Sequence, residues 1–521
     1  MSGASVGSQL DGDRSNFSRT FKYLMAAQLF SRIITYAFNT WVLRQLTKEE
    51  FANVMDFDLI TIFALVIIRE GFQRACIRDN ISCSCLSEGE RAAKLLKITW
   101  VIFPFGVVAT IAACLVIFCS QALSYSDPCA KAILIYGCAC LLELLAEPLH
   151  IFFKNLHFLK LRLIVETAAT FFRCLTTYIL IVKQTGMEKG IVLAISQVAY
   201  GACLFFGYLG YFFYCHFKNS GLFPLRVGSM MDYDGKLLVM CMWFSFIKCI
   251  FQRGEKMVLL WFLTPHSKAA YGFVDRLGSL VVRLVFSPFE EISYATFARG
   301  ASAGKDPQKG IWLGSSLTEA LKLVLLVGFV VMTFGPSYSY SLIRMYDRRW
   351  IDGEAPKALQ YYCLYVFLLA VNGTVEAFMY SVATEEQLQR ANVLSFIFSM
   401  IYLGQNALLR QSAGAVGLVV ANSLTITLRI AYSINFINRY FQGSPSFSFL
   451  SCLPSGWTYL LLSGVITRIS ERKFLDPENF RQTFFIHFSI GLTCFCMSSI
   501  IIYRRERPLI NKIIGFHDHS D

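Results

Sequence analysis

The sequence predicts an all-α polytopic membrane protein of about fourteen transmembrane helices, two six-helix lobes in parallel repeat plus two C-terminal helices. Three observations predict it. Composition is the first: 55% of residues are hydrophobic, 15% aromatic and only 16% charged, with a mean hydropathy of +0.50, whereas a soluble domain carries about 25% charged residues. The second is that apolar runs of roughly 20 residues, the length that crosses a bilayer's hydrocarbon core, recur along all 521 residues. The third is that charges recur inside some of those runs. Residues 51–78 carry Arg69, Glu70 and Arg74, and residues 271–299 carry Asp275, Arg283, Glu290 and Glu291. An ionisable group near the bilayer centre costs at least about 2.5 to 3.5 kcal/mol, so several on one helix point to a protein-lined polar cavity. The chain reads as a transporter-like bundle.

At about 20 apolar residues per crossing, the spans fall near 20–43, 56–77, 96–119, 130–153, 161–183, 190–214, 236–263, 269–297, 316–337, 358–382, 391–410, 413–437, 448–467 and 482–503. The seventh and eighth are the least apparent on hydropathy, because Lys248, Arg253, Glu255 and Lys256 crowd one and Asp275 to Glu291 the other. The expected organisation is a cytoplasmic tail (1–19), a first lobe (20–214), an inter-lobe loop (215–235), a second lobe (236–440), two added helices (441–503) and a cytoplasmic tail (504–521). The longest connecting segments are 78–95, 215–235, 298–315 and 338–357, too short for a soluble catalytic domain. None carries a phosphate-binding GxxxxGK[ST], an HExxH or a GxSxG, so neither an enzyme nor a self-contained ATP-driven pump is expected. No catalytic residue, cofactor or metal is assigned.

The net charge of +13 excludes little by itself. With no soluble basic module, nucleic acid is not an expected partner. In a membrane protein the excess Lys and Arg belong in loops facing the cytoplasm and anionic lipid. Placing both termini in the cytoplasm puts about 23 Lys and Arg on that side against about 15 on the other. Arg344, Arg348, Arg349 and Lys357 in one opposite-side loop, and Arg468, Arg472, Lys473 and Arg481 in another, run against that count. The seventeen cysteines include the pairs Cys83 and Cys85, Cys138 and Cys140, and Cys494 and Cys496. Their spacing is not that of zinc sites, and within a span Cys behaves as a small hydrophobe. The polar N-terminus lacks a signal-peptide pattern. The sequons at Asn16, Asn80 and Asn372 fall in cytoplasmic or spanning positions and are expected to stay unglycosylated.

An offset of about 220 residues brings Phe51 onto Tyr271, Val54 onto Val274 and Glu70 onto Glu290 in the second and eighth spans. Further on, Glu147 lands near Glu376 in the fourth and tenth. Six spans is an even number, so both lobes enter the bilayer from the same side. The cations Arg32, Arg69, Arg74, Lys248, Arg253 and Arg283 are the candidates to line a cavity for an anionic head group. Glu70, Glu147, Glu255, Asp275, Glu290, Glu291 and Glu376 are their expected charge partners. Arginine suits that role because its planar fork grips phosphate oxygens at two points and stays charged. The competing reading is that acids and bases pair across helices and only fix the packing. Pro148 and Pro288 remove backbone hydrogen bonds inside spans and are expected to distort them.

Several motifs share an order with a known family. They are Leu277-Gly278-Ser279-Leu280-Val281 with Arg283, Phe286, Pro288 and Glu290-Glu291; Gly254-Glu255-Lys256; Arg69-Glu70 with Arg74-Ala75-Cys76; Glu143-Leu144 with Glu147-Pro148; Gly335-Pro336 with Tyr338; Tyr362-Cys363-Leu364-Tyr365; and Asn372-Gly373 with Glu376. Over nearly the whole chain this resembles the Rft family of endoplasmic-reticulum membrane proteins, least so in the loops and after about residue 440. That family is similar to the multidrug, oligosaccharidyl-lipid and polysaccharide exporter superfamily. The resemblance implies two lobes of six helices, a multi-pass location in the endoplasmic reticulum, and a role in asparagine-linked glycosylation. It further implies movement of a dolichol-pyrophosphate-linked heptasaccharide, Man5GlcNAc2, to the lumenal leaflet, in contact with membrane lipid and with glycosyltransferases of the same pathway as possible partners. Two alternatives stay open: a cation-coupled small-solute antiporter using Glu70 or Glu147, and a non-transporting scaffold of the same pathway.

Overall fold

The structure is a computed structural model, and it describes residues 37–62 (except 43), 65, 96–97, 99–121, 127–155, 158–183, 186–218, 264–302, 307–442 and 447–507. No described residue is in a strand. Two compact units, Met1–Trp261 and Phe262–Asp521, divide the chain.

The first unit comprises α1 (Lys48–Thr61), α2 (Ile102–Gln121), α3 (Pro128–Asn155), α4 (Leu159–Lys183) and α5 (Lys189–Lys218). A capping box opens α1: Thr47 Oγ1 accepts from the Glu50 N–H at 3.2 Å, and the Glu50 carboxylate accepts from the Thr47 N–H at 2.7 Å, which satisfies two donors the helix itself leaves open. The same carboxylate takes Lys189 Nζ at 3.2 Å and ties the start of α5 to α1. Helix α3 packs along α5 and against α2. Phe152 and Phe153 of α3 are fully buried. Phe57 of α1 stacks on Tyr136 of α3, with ring centroids 4.8 Å apart.

The second unit comprises α6 (Pro265–Val281), a π-helical turn (Val282–Phe286), α7 (Ser287–Ser302), α8 (Pro307–Tyr346), α9 (Ala355–Val382), α10 (Glu385–Tyr440), α11 (Trp457–Phe474) and α12 (Phe480–Arg505). Helix α9 is its centre, packed on α6, α7, α8 and α10. Lipid is as apolar as leucine, so burial against water does not hold these helices together; close packing and interhelical hydrogen bonds do.

Eight described helices are long and apolar enough to cross a membrane: α2, α3, α4, α5, α8, α9, the second half of α10, and α12. The charged run through Asp275 and Glu291 falls outside that set, as hydropathy foreshadowed, yet it forms continuous helix from 265 to 302. The expected distortion at Pro288 is a π-turn, in which the Ser287 N–H donates to the Val282 carbonyl. Proline at 288 has no N–H to continue α-type pairing, and the wider turn accommodates this. The helix continues through Pro148.

Two connecting segments are shorter than expected. Residues 307–346 are one 40-residue helix, α8, so most of 298–315 and 338–357 is helical. Hydropathy marks the roughly 30 Å slab of hydrocarbon, whereas the hydrogen-bonded helix runs on past it. Arg344 accordingly sits on the last turn of a helix, not in a loop. The eleventh and twelfth spans join without a loop in α10, which breaks at Gly414 (φ 49°, ψ −128°). Glu354, at the start of α9, accepts from the Ala415 N–H at 2.7 Å and from Ser267 Oγ at 3.1 Å. One carboxylate thus caps the restarted helix and holds the entry to α6.

The last two helices dock on α8. Tyr338 stacks on His487 with centroids 4.4 Å apart and donates its hydroxyl to the His487 carbonyl at 2.8 Å. His487 lies between Ser470 Oγ (3.0 Å from Nδ1) and the Ser337 carbonyl (3.4 Å from Nε2). A carbonyl can only accept, so Nε2 carries the proton and Nδ1 accepts. At the end of α12, Glu506 accepts from the Ser455 N–H at 2.7 Å and Ser455 Oγ at 2.5 Å, and faces Lys322 Nζ at 3.7 Å. Burial pushes its carboxyl up, but the two Ser455 bonds and the Lys322 ammonium more than offset that and hold it below the usual range.

Gly414→Ala is expected to destabilise the second unit by about 1–3 kcal/mol, because the backbone there is open only to glycine and a Cβ meets the Glu354 carboxylate; a melting curve of the purified chain checks it. A depressed carboxyl stabilises the fold above its unfolded value near 4.3, and that contribution disappears as pH falls through the lower folded value. Glu506→Gln should therefore melt below wild type at pH 7, with the gap closing below about pH 4.

Candidate functional site

In the second unit the charges converge where α7, α9 and the second half of α10 meet. Glu290 lies in the first turn of α7, beyond the π-turn. Its carboxylate rests over Gly373 of α9, with Oε2 2.8 Å from where a Cβ would stand. Asn372 and Glu376 lie one turn apart on α9, and the Asn372 amide is near enough to favour the Glu376 carboxylate. Arg429, on α10, acts on Glu376 from a third helix, and Glu376 is near enough to Glu290 for the two carboxylates to repel. Two acids, one amide and one arginine thus form a group that glycine at 373 lets close.

Three turns away along α9, its Tyr362 hydroxyl donates to Asp275 of α6 at 2.8 Å. Tyr362 packs its ring against Gly278, one turn along α6. Asp275 therefore couples two helices. Arg283 stands on the π-turn and is exposed on its unit.

A second polar group occupies the core of the first unit. Glu143 and Glu147 of α3 are 4% and 3% exposed, deep enough that their charge requires protein partners. Gln197 of α5 donates to Glu143 at 2.5 Å. On the same face of α3, His150 Nδ1 is 3.2 Å from the Tyr208 hydroxyl and 3.8 Å from Glu166 Oε1. Arg162 donates to that Glu166 oxygen at 2.8 Å. Arg173 lies over the Tyr200 ring, 5.6 Å from its centroid.

Of the candidates drawn from the sequence, Arg32, Arg69, Glu70, Arg74, Lys248, Arg253 and Glu255 lie outside the described residues, as does the side chain of Glu291. The structure brings Glu290 and Glu376 together, leaves Asp275 in a separate helix-to-helix bond, and places Glu147 in the other unit. Sequence reasoning passed over Gln197, His150 and Tyr208. A spacing signal existed for one of them: residues 143, 147 and 150 are four and three apart and share a helical face. Cross-helix partners such as Gln197 carry no local signal. Asn372 of the third sequon is buried in mid-helix. Among the described residues no three His, Cys, Asp or Glu converge as metal ligands would. The described cysteines are free thiols, Cys140, Cys215, Cys363 and Cys452 buried among them.

Residues 17–515 match the family model described as Rft-1: Rft protein. The Man(5)GlcNAc(2)-PP-dolichol translocation protein RFT1 of Xenopus tropicalis is 30% identical over 485 residues, covering 86% of this chain and 87% of the relative. The proteins of that name from Dictyostelium discoideum and Mus musculus are each 28% identical, covering 93% of this chain and 94% and 93% of their own. Among solved structures, the lipid II flippase MurJ in its inward closed conformation matches with a TM-score of 0.66 and 14% identity, over 92% of this chain and 99% of MurJ. A MOP superfamily transporter from Pyrococcus furiosus matches at 0.52 and 10% identity, over 80% of this chain and 94% of its own. These likenesses show a shared fold.

Two glycine substitutions separate packing from positioning. Gly278→Ala drives a Cβ into the rigid Tyr362 ring, and losing the bond to Asp275 with it should cost about 1.5–3 kcal/mol, read as a lowered melting temperature. Gly373→Ala meets only the flexible tip of Glu290. It should leave the melting temperature nearly unchanged while displacing that carboxylate.

Proposed function

The chain belongs to the Rft family, and on that premise we propose that it moves Man5GlcNAc2-pyrophosphate-dolichol from the cytoplasmic to the lumenal leaflet of the endoplasmic reticulum membrane. The observation that carries this reading is a family match along residues 17–515 in a chain that buries carboxylates such as Glu143 and Glu147 among its helices. Such a substrate has three parts with different needs. Its pyrophosphate requires buried cations, its sugars require a wet cavity, and its polyprenyl tail is at home in lipid.

In this reading Arg32, Arg69, Arg74, Lys248, Arg253 and Arg283 bind the pyrophosphate as the two lobes alternate access. Glu70, Glu255, Glu290 and Glu291 orient them. Glu147, Asp275 and Glu376 hold the helices that carry the cavity wall. Both termini lie in the cytoplasm, and glycosyltransferases of the pathway supply and receive the substrate. The process makes and breaks no covalent bond, so no side chain is required as acid, base or nucleophile. A second reading, a cation-coupled antiporter, draws on the Glu290 and Glu376 pair beside Arg429; transport that requires an ion gradient separates it.

Scrambling of a labelled dolichol-pyrophosphate heptasaccharide in liposomes tests the proposal. The purified chain should move the lipid, and an Arg69, Arg74, Arg283 triple-Ala variant should lose at least about tenfold of the rate through lost charge-assisted phosphate contacts. No movement by either protein would favour the scaffold. Gly373→Ala and Glu290→Gln should reduce the rate together, since both remove the same carboxylate from its place.

A further inference from the structure

The end of α12 and the two residues after it read Tyr503-Arg504-Arg505-Glu506-Arg507, and their charges divide by direction. Arg505 turns inward: it donates to the Ser455 carbonyl at 3.3 Å and lies over the Tyr459 ring, 5.2 Å from its centroid. Glu506 is also turned inward, onto Ser455 and Lys322. Arg504 and Arg507 point the other way. Together with Ser499, Ile500 and Tyr503 they line an open groove of about 580 Å³. Both guanidinium groups are exposed and make no hydrogen bond or ion pair with any described residue. Two positive charges three residues apart on one helical face are thus left uncompensated where a membrane-spanning helix ends.

Below them the same face is apolar and exposed. Leu492, Met497 and Ile500 are 50%, 61% and 54% exposed, and Tyr503 is 47% exposed at the boundary, the depth at which tyrosine's amphipathic ring favours the headgroup region. We propose that this groove binds an anionic glycerophospholipid. Arg504 and Arg507 grip its headgroup phosphate, Tyr503 lies at its glycerol, and one acyl chain runs along Ile500 toward Leu492. The arginine forks match phosphate oxygens at two points each. The apolar strip beneath favours a lipid over a free phosphate. Because Arg505 and Glu506 are held by the protein, the net attraction comes from the two groove arginines and not from the helix end as a whole.

Native mass spectrometry of the purified full-length chain, titrated with phosphatidylserine or with phosphatidylcholine of the same acyl chains, tests this. Wild type should retain phosphatidylserine at least about tenfold more tightly, as expected for two cations at a membrane surface. Arg504→Gln with Arg507→Gln should abolish that preference, while Arg505→Gln, which removes a charge from the same turn, should keep it. Equal retention of the two lipids by wild type would overturn the proposal, and so would an Arg505→Gln loss as large as that of the double variant. Displacement of the lipid by inorganic phosphate at similar concentration would also overturn it, since the groove would then be taking a phosphate without its chains. Both variants change exposed residues, and their melting temperatures, measured alongside, should stay close to wild type.

Discussion

Lipid neither hydrogen-bonds a backbone nor solvates a charge, and the rest of this protein depends on that constraint. A helix satisfies its own backbone, so helix is the structure seen throughout the described residues. Each ionisable side chain inside a helix must then find its partner on another. Glu143 finds Gln197, Asp275 finds Tyr362, and Glu376 feels the charge of Arg429. These contacts place the helices as much as the helices place them.

The constraint also explains where the helical pattern breaks. At Pro288 the chain lacks a donor, and a π-turn precedes it. At Gly414 the chain reverses its local geometry, and the orphaned N–H of Ala415 receives Glu354 from the start of α9. Both breaks lie on helices that border the Glu290 and Glu376 group. A regular helix at 282–286 would have rotated Glu290 to a different face, because a π-turn advances each residue by less than 100°.

Much was legible in the residues themselves. Spans at 130–153, 161–183, 190–214, 358–382 and 482–503 reappear as helices with similar limits, because an apolar run of bilayer length admits few other structures. Limits blurred where a helix outlasts its apolar stretch, as α8 does at both ends. The motifs that resembled the Rft family led to the right family, and they include Gly278, Gly373 and Tyr362, residues whose value lies in a contact with another helix. Gln197 and Tyr208 went unnoticed because their partners are 54 and 58 residues away.

By itself, then, the sequence determined a helical membrane protein, the position of most described spans, the family, and which spans carry charge, because each of these follows from local composition or residue order. Only the tertiary structure decided what each charge faces. Asp275 bonds a neighbouring helix, Glu290 lies over Gly373 beside Glu376, and Arg504 and Arg507 face outward while Arg505 does not. Spacing along a chain sets the face on which a side chain stands, but the identity of what stands opposite depends on how helices far apart in sequence pack.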